Sequence, residues 1–115
     1  MINYLVVFLG GGLGACLRMT LSILNQKVDL PPWVGTLMAN ALGCLILFYG
    51  YKIFSQLDRN MHQFIKIGFL GSLTTFSTFA FETSSALVEG RIKEGLTILF
   101  LNMFIGIIVG VLVFR

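Results

Sequence analysis

Charged side chains are scarce in this sequence, and their scarcity excludes most kinds of soluble protein. Only 11% of the 115 residues are charged and 57% are hydrophobic, whereas an average soluble domain is roughly 25% charged and about 45–50% apolar. Mean hydropathy is +0.91. A soluble globule of this length cannot hide so much apolar surface, because small domains bury a limited share of their surface. We therefore expect the excess to face lipid or a partner chain.

Cysteine and catalytic patterns are also sparse. Cys16 and Cys44 are the two cysteines, and both lie in apolar segments. They are too few for a disulfide framework and lack the clustered partners of a zinc site. No paired carboxylates and no nucleophile–base pattern appear, so we do not expect an enzyme. Net charge is +3, but the basic residues stand singly at segment ends. They are typical of anchors beside lipid headgroups and do not indicate nucleic-acid binding.

Four apolar stretches are present, over residues 2–24, 33–54, 64–88 and 95–114. Each is close to the roughly 20 residues with which a helix crosses a bilayer. No Lys or Arg precedes the first stretch and no Ala-x-Ala site follows it, so we expect a retained span and not a cleaved signal. Polar turns separate the stretches, and Pro32 is suited to open the second helix beside an interfacial Trp33. The sequence predicts one all-α membrane domain over 1–115.

Basic residues are distributed evenly between the two sides of this arrangement. One side carries Lys52, Arg59, Lys66 and Arg115, and the other carries Arg18, Lys27, Arg91 and Lys93. Because loop charge sets membrane orientation, an even distribution favours insertion in both directions. We therefore predict an antiparallel dimer of dual topology. Four short helices make a thin bundle, so a wet pathway is expected at the dimer interface and not inside one copy.

Small residues recur at helical spacing and predict close helix packing in lipid. They are Gly10 and Gly14 in the first span, Gly35, Ala39 and Gly43 in the second, and Gly106 and Gly110 in the fourth.

Polar side chains within the spans are candidates for function, because burying them in a bilayer is costly. They gather at Arg18, at Thr36 with Asn40, at Ser72 to Thr78, and at Asn102. In the third span, glycine, serine and threonine weaken the helix, and hydroxyls compete for its backbone. The pattern predicts a break near Gly71 to Thr75 that exposes backbone groups. The alternative is a small-residue packing face.

The residues after this break suit an anion. Phe76 and Phe79 share a helix face, and the edge of a phenyl ring is positive. Asn40 offers amide donors, and Ser77 and Thr78 offer hydroxyls. A strongly hydrated small anion would need such a set to replace its water.

Carboxylates are nearly absent from the spans. Glu82 is the one that falls inside a stretch, and a hydrogen-bonded structural role is preferred for it. A proton-coupled small multidrug exporter, the main alternative at this length, would need a carboxylate in the first helix. A second alternative is an assembly protein that uses its small-residue faces only for packing.

Three segments stand in order and at fixed spacing along the chain: Gly71-Ser72-Leu73-Thr74-Thr75-Phe76-Ser77-Thr78-Phe79, Gly35-Thr36-Leu37-Met38-Ala39-Asn40, and Gly11-Gly12-Leu13-Gly14-Ala15-Cys16-Leu17-Arg18. Together they resemble the Fluc (CrcB) family of fluoride channels. The first is similar to the family's G-x-L-T-T-F-S-T-F signature, the second to G-T-L-x-x-N, and the third to G-G-x-x-G-A-x-x-R. The resemblance covers nearly the whole chain.

The resemblance implies a passive fluoride channel in the bacterial plasma (inner) membrane, working as a dual-topology dimer with two antiparallel pores. Its partner would be a second copy or a related paralogue. Phe76 and Phe79 would meet fluoride with their ring edges, helped by Asn40. The wider predicted pathway comprises Ser77, Thr78, Thr36, Arg18 and Asn102, with Arg18 in an aqueous vestibule.

The resemblance also implies a structural sodium ion at the dimer centre. Backbone carbonyls matching Gly71 and Thr74 would hold it. In the fourth helix, Asn102 and Gly106 stand where family hydroxyl residues are expected, which leaves that helix's contribution open.

Overall fold

A computed structural model describes residues 3–115, and within that range the chain is helical with no strand. Helix α1 spans Tyr4–Lys27, α2 spans Pro32–Phe54, a compound third segment spans Arg59–Val88, and the last helix spans Ile92–Val113. All four are long and apolar enough to cross a membrane. The predicted four-span helical fold is confirmed, and the second helix does open at Pro32.

The third segment is built from four pieces. Helix α3 is Arg59–His62, a π-helical stretch follows over Gln63–Leu70, α4 is Gly71–Leu73, and α5 is Phe76–Val88. Between α4 and α5, the backbone is extended at Thr74 (φ −81°, ψ 152°) and Thr75 (φ −147°, ψ 115°). The predicted break is therefore confirmed, whereas the π-helical stretch was not predicted. The last helix, Ile92–Val113, is α6.

The turns are shorter than the sequence predicted. The third apolar stretch was predicted to begin at residue 64, but the third helical segment already begins at Arg59. Asp58 explains the early start, because its side chain accepts a hydrogen bond from the amide of Met61 at 2.8 Å and so caps the first turn. Helix α6 likewise begins at Ile92, within the predicted turn 89–94.

Helix α1 packs backbone to backbone against the π-helical stretch. A Cβ atom on Gly10 would lie 2.3 Å from the carbonyl oxygen of Phe64, and one on Gly14 would lie 2.1 Å from that of Phe69. From the other side, a Cβ on Gly68 would lie 2.6 Å from the carbonyl oxygen of Val7. Only glycine permits such an approach, so the predicted close packing of Gly10 and Gly14 is confirmed.

Two small hydrophobic clusters hold the bundle together. Ala39, Leu70 and Leu73 form one, around the end of the π-helical stretch. Phe79, Ala86 and Ile98 form the other, between α5 and α6. Many large apolar side chains lie outside both clusters and are exposed, among them Phe8, Tyr49, Phe81 and Leu112. This exposed apolar surface suits lipid or a partner chain.

The hairpin between α5 and α6 is fixed by polar contacts. Arg91 donates hydrogen bonds to the carboxylates of Glu89 and Glu94, and these bonds, with Glu94 first, raise the pKa of the Arg91 guanidinium. Glu94 also accepts a hydrogen bond from the indole Nε1 of Trp33 at 3.0 Å. The start of α2 is thereby tied to the start of α6.

Candidate functional site

Asn40 of α2 holds the break in the third segment open. Its Oδ1 accepts a hydrogen bond from the amide of Thr75 at 2.7 Å, and its Nδ2 donates to the carbonyl of Thr75 at 3.2 Å. The same Nδ2 donates to Oδ1 of Asn102 in α6 at 2.9 Å, and Asn102 donates to the carbonyl of Ile98 at 3.0 Å. One side chain thus satisfies both backbone groups of Thr75. The extended backbone at this residue therefore leaves neither its N–H nor its C=O without a hydrogen-bond partner.

Thr75 also caps the helix that follows. Its Oγ1 accepts a hydrogen bond from the amide of Thr78 at 3.2 Å and donates to Oγ1 of Thr78 at 3.0 Å. Thr75 is 8% exposed, so this cap lies inside the bundle. Amides in the first turn of α5 have no carbonyl of a preceding helical turn to which they can donate a hydrogen bond. The positive end of the helix dipole also lies there. The start of α5 therefore favours an anion.

The end of α4 has the opposite character. In a continuous α-helix, each carbonyl accepts a hydrogen bond from the amide four residues later. The amide of Thr75 donates to Asn40 instead, and that of Thr78 donates to the Thr75 hydroxyl. The carbonyls of Gly71 and Thr74 thereby lose their usual donors. Both carbonyls lie at the end of a helical segment, where the helix dipole is negative.

Gly43 of α2 leaves room for this geometry. A Cβ on Gly43 would lie 2.2 Å from Cγ2 of Thr74, and the Thr74 hydroxyl is occupied by a 3.0 Å bond to the carbonyl of Leu70. Two residues of α2 therefore position the break: Gly43 leaves space for the methyl group of Thr74, and Asn40 bonds the backbone of Thr75.

Phe76 and Phe79 form an edge-to-face pair at the start of α5. Their ring centroids are 5.6 Å apart and their planes meet at 68°. Their environments differ, since Phe76 is 77% exposed and Phe79 is 7% exposed. One ring is thus anchored in the α5–α6 core while the other projects from the chain.

One cavity, here called the Asn40 cavity, adjoins the break. Its volume is about 510 Å³, which is enough for several waters or a partly hydrated ion. Its polar lining comes from α2, the π-helical stretch, the break and α6, and its apolar lining includes both phenylalanines. The lining comprises Asn40, Gly43, Cys44, Leu47, Lys66, Leu70, Gly71, Thr74, Thr75, Phe76, Phe79, Asn102 and Met103.

A second cavity, the Arg18 cavity, lies on the other side of the break and has a volume of about 640 Å³. Its lining comprises Ala15, Arg18, Met19, Ser22, Ile23, Gln26, Pro32, Gly35, Thr36, Thr75, Thr78 and Glu82. Thr75 is common to both cavities. The two spaces therefore approach the break from opposite ends of the bundle and meet at one residue.

Glu82 lies in the Arg18 cavity and accepts a hydrogen bond from the Thr36 hydroxyl at 2.8 Å. This agrees with the hydrogen-bonded role predicted for it. Its other carboxylate oxygen, Oε2, is buried without a hydrogen-bond partner among the described residues.

The structure gathers most of the predicted pathway residues around Thr75. Asn40, Phe76, Phe79 and Asn102 line one cavity, and Arg18, Thr36 and Thr78 line the other. Ser77 lines neither and is exposed, with its hydroxyl 3.4 Å from that of Thr75. Both N–H groups of Asn40 are already engaged, by the carbonyl of Thr75 and by Asn102, so in this arrangement Asn40 supports the break and has no further N–H group to donate.

Sequence reasoning did not single out Thr75. The signal was available, because Thr75 follows the weak helix formers and precedes Thr78 by three residues, the spacing of an N-cap bond. The pairing of Thr75 with Asn40 spans 35 positions and could not be read locally.

Comparison with known proteins gives a consistent match. The family model described as CrcB-like protein, Camphor Resistance (CrcB), matches residues 5–114. The chain is 42% identical over 98 residues to "Fluoride-specific ion channel FluC 1" of Methanosarcina barkeri, covering 85% of this chain and 78% of that protein. It is 37% identical over 115 residues to "Fluoride-specific ion channel FluC" of Serratia proteamaculans, covering 97% and 91%. It is 41% identical over 106 residues to the protein of the same name from Escherichia coli, covering 86% and 80%.

Proposed function

The chain belongs to the CrcB-like protein family, and from this premise we propose that it is a fluoride-selective channel, which lets fluoride leave the cytoplasm passively. Relatives that are similar over most of their length carry the name fluoride-specific ion channel. The chain is a multi-pass membrane protein with four spans. It is a channel and not an enzyme.

The observation that carries the proposal is the break itself. Asn40 diverts both backbone groups of Thr75, and this opens a helix start beside two phenylalanine rings between two cavities. Fluoride is small and strongly hydrated, so it crosses only where donors replace its water. Amides at the start of α5, hydroxyls and positive ring edges supply these in a confined space, where they act more strongly than in bulk water.

We assign the pathway residues from this geometry. Arg18 attracts the anion into its cavity, where Thr36 and Thr78 offer hydroxyls. Asn40 and Asn102 line the cavity on the other side of Thr75, and Phe76 and Phe79 offer ring edges there. Asn102 donates one N–H group to Ile98 and has a second for the anion, whereas Asn40 would meet the anion by exchanging one of its present bonds. Ser77 contributes an exposed hydroxyl at the same helix start.

A structural sodium ion fits the freed carbonyls. Gly71 and Thr74 would hold it, because their usual amide donors are engaged by Asn40 and Thr75. Carbonyl oxygens are the ligands that a hard cation prefers. Among the described residues no three His, Cys, Asp or Glu side chains are grouped to hold a metal, so backbone oxygen is the appropriate donor. The ion would supply positive charge that stabilises the negative end of α4.

The assembly that we propose is a dimer with its copies inverted in the bacterial plasma (inner) membrane. The even distribution of basic residues supports inversion. The exposed apolar surface of α1 and α6, and the 77% exposure of Phe76, support a second copy beside the break. A partner that is a related chain would meet the same requirements.

A small multidrug-type exporter is not supported. Such a protein would need an ionisable carboxylate within the first span. Helix α1 has no Asp or Glu over Tyr4–Lys27, and the relatives carry the name of a channel.

The test is fluoride efflux from liposomes that contain the purified protein, read with a fluoride electrode, with chloride-loaded liposomes as the control. Rapid fluoride release with chloride retained is the expected result. Release of both anions alike, or of neither from a folded sample supplied with its paralogue where one exists, would contradict the proposal.

A further inference from the structure

The two cavities differ in how their positive charge is balanced. Arg18 shares its cavity with the carboxylate of Glu82. Lys66, on the π-helical stretch, lines the Asn40 cavity, and no Asp or Glu is part of that lining. The ion pairs among residues 3–115 all involve Arg91. Among the described residues neither Lys66 nor Arg18 is in an ion pair, and Lys66 differs in that no carboxylate shares its cavity.

The position of Lys66 is also unusual. Lys66 is exposed and lies in the second turn-length of the third segment, which begins at Arg59. A lysine that lies inside a membrane-spanning segment, even near its end, calls for a reason. A long side chain that merely extends its ammonium group to the headgroups is the simplest one. However, Lys66 also lines a smaller space with Ser55, His62 and Leu47, and Leu47 and Lys66 are shared with the Asn40 cavity. Lys66 therefore lies between the loop end of the bundle and the break.

We propose that Lys66 is the anion-gathering residue at the loop entrance to the Asn40 cavity, which makes it the counterpart of Arg18 at the opposite end. The proposal rests on the proposed fluoride conduction. An unpaired positive charge at the mouth of a space with low-dielectric walls raises the local anion concentration. Fluoride that enters from this side would meet Lys66 before Asn40 and the phenylalanine edges.

The dependence of fluoride efflux on ionic strength distinguishes an electrostatic role of Lys66 from a structural role. The Debye length is about 30 Å at 0.01 M salt and about 3 Å at 1 M. An attraction exerted over the length of a cavity is therefore strong in dilute salt and lost in concentrated salt. A packing or folding role of Lys66 would not follow ionic strength in this way.

The experiment measures fluoride efflux from liposomes for wild type, Lys66→Arg, Lys66→Gln and Lys66→Glu, in low and high concentrations of a salt whose anion does not permeate. Lys52→Gln is the matched control, since Lys52 is an exposed lysine at the same end of the bundle and does not line this cavity. Rates are normalised to protein that elutes as a single folded species.

At low salt we expect Lys66→Gln to lower efflux by roughly tenfold, Lys66→Glu to lower it further, and Lys66→Arg to retain it, within the range of electrostatic steering. At high salt the four rates should converge, and Lys52→Gln should match wild type throughout. Equal rates for Lys66→Gln and wild type at low salt, or a loss independent of salt, would overturn the inference while leaving conduction intact. Absence of wild-type efflux would overturn the proposed function, and the inference would fall with it.

Discussion

The two halves of the third segment are held in place by different forces. Before the break, the π-helical stretch lies against glycines of α1, with backbone atoms in contact and few side-chain hydrogen bonds. After the break, α5 is positioned by polar side chains, through Asn40 on Thr75, Thr75 on Thr78, and Thr36 on Glu82. The first half is fixed by close backbone packing, and the second half by hydrogen bonds in addition to its hydrophobic contacts with α6.

This difference separates stability from conduction. Close packing of glycine faces is a property of the fold and is lost when a methyl group is added. Hydrogen bonds at the break occupy the backbone groups of Thr75 and leave the carbonyls of Gly71 and Thr74, which line the Asn40 cavity, without their helical donors. Substitutions in the first half should therefore change folding more than ion passage, and those at the break should change ion passage more than folding.

The largest expected effect is at Asn40. Asn40→Asp removes the two hydrogen bonds that Nδ2 donates and introduces a negative charge beside the anion path. Each lost bond is worth about 1 kcal/mol and each 1.4 kcal/mol is tenfold in rate, so with the added repulsion we expect fluoride efflux to fall roughly 100-fold. The measurement is liposome efflux per folded protein. An unchanged rate would remove Asn40 from the pathway.

The next largest effect is a loss of stability, expected in the part of the third segment that packs against the glycines of α1. Gly14→Ala would bring a methyl carbon to 2.1 Å from the carbonyl oxygen of Phe69, whereas Gly12→Ala meets nothing within 4 Å. Overpacking costs about 1–3 kcal/mol, so the midpoint of thermal unfolding in detergent should fall by on the order of 10 °C for Gly14→Ala. The matched Gly12→Ala should unfold at or above the wild-type temperature. Equal midpoints for the two variants would refute the backbone contact.

A smaller effect should appear at the exposed ring. Phe76→Ile removes an aromatic edge that contributes about 1 kcal/mol, so we expect fluoride efflux to fall about fivefold. Because Phe76 is 77% exposed, the thermal midpoint should change little. The control is Phe81→Ile, since Phe81 is on the same helix, 71% exposed, and lines neither cavity. The site assignment fails if the two variants conduct alike.

Phe79→Ile should slow fluoride efflux as well, by about fivefold for the same reason. Since Phe79 is buried in the α5–α6 cluster, this variant should also unfold at a lower temperature, and the pair of readouts separates the two phenylalanines. Normal efflux in both Phe79→Ile and Phe76→Ile would exclude the rings from the pathway.

The smallest effect tests how the two halves are joined. A methyl group at Gly43 would clash with Cγ2 of Thr74, so Gly43→Ala should shift Thr74 and lower fluoride efflux by roughly threefold, a change of less than 1 kcal/mol. Adding Thr74→Ser removes that methyl and keeps the hydroxyl bonded to Leu70. The double variant should recover the wild-type rate, and a lack of recovery would show that Gly43 acts otherwise.

Much of this arrangement was readable from the sequence, because its causes are local. Membrane-length apolar runs predicted four spans, and the weak helix formers from Gly71 to Thr75 predicted the break. The glycines of α1 predicted close packing. These signals depend on residues within a few positions of one another.

Other features depend on contacts distant in sequence. Asn40 and Asn102 are 62 positions apart, and Thr36 and Glu82 are 46 apart, so no local pattern could pair them. The π-helical stretch was not predicted because the sequence of Gln63–Leu70 has an ordinary apolar helix pattern. What distinguishes it in the structure is the contact of its carbonyls with the glycines of α1, which are distant in sequence. The even charge count predicted inversion of a second copy, and that remains a prediction.

The most direct test of the account is the reversal potential of the current across a planar bilayer that contains the protein, with fluoride and chloride gradients opposed and no proton gradient. A passive fluoride channel predicts a current that reverses at the fluoride equilibrium potential. Reversal at the chloride potential would contradict selectivity at the break, and a flux that appears only with a proton gradient would contradict the channel itself.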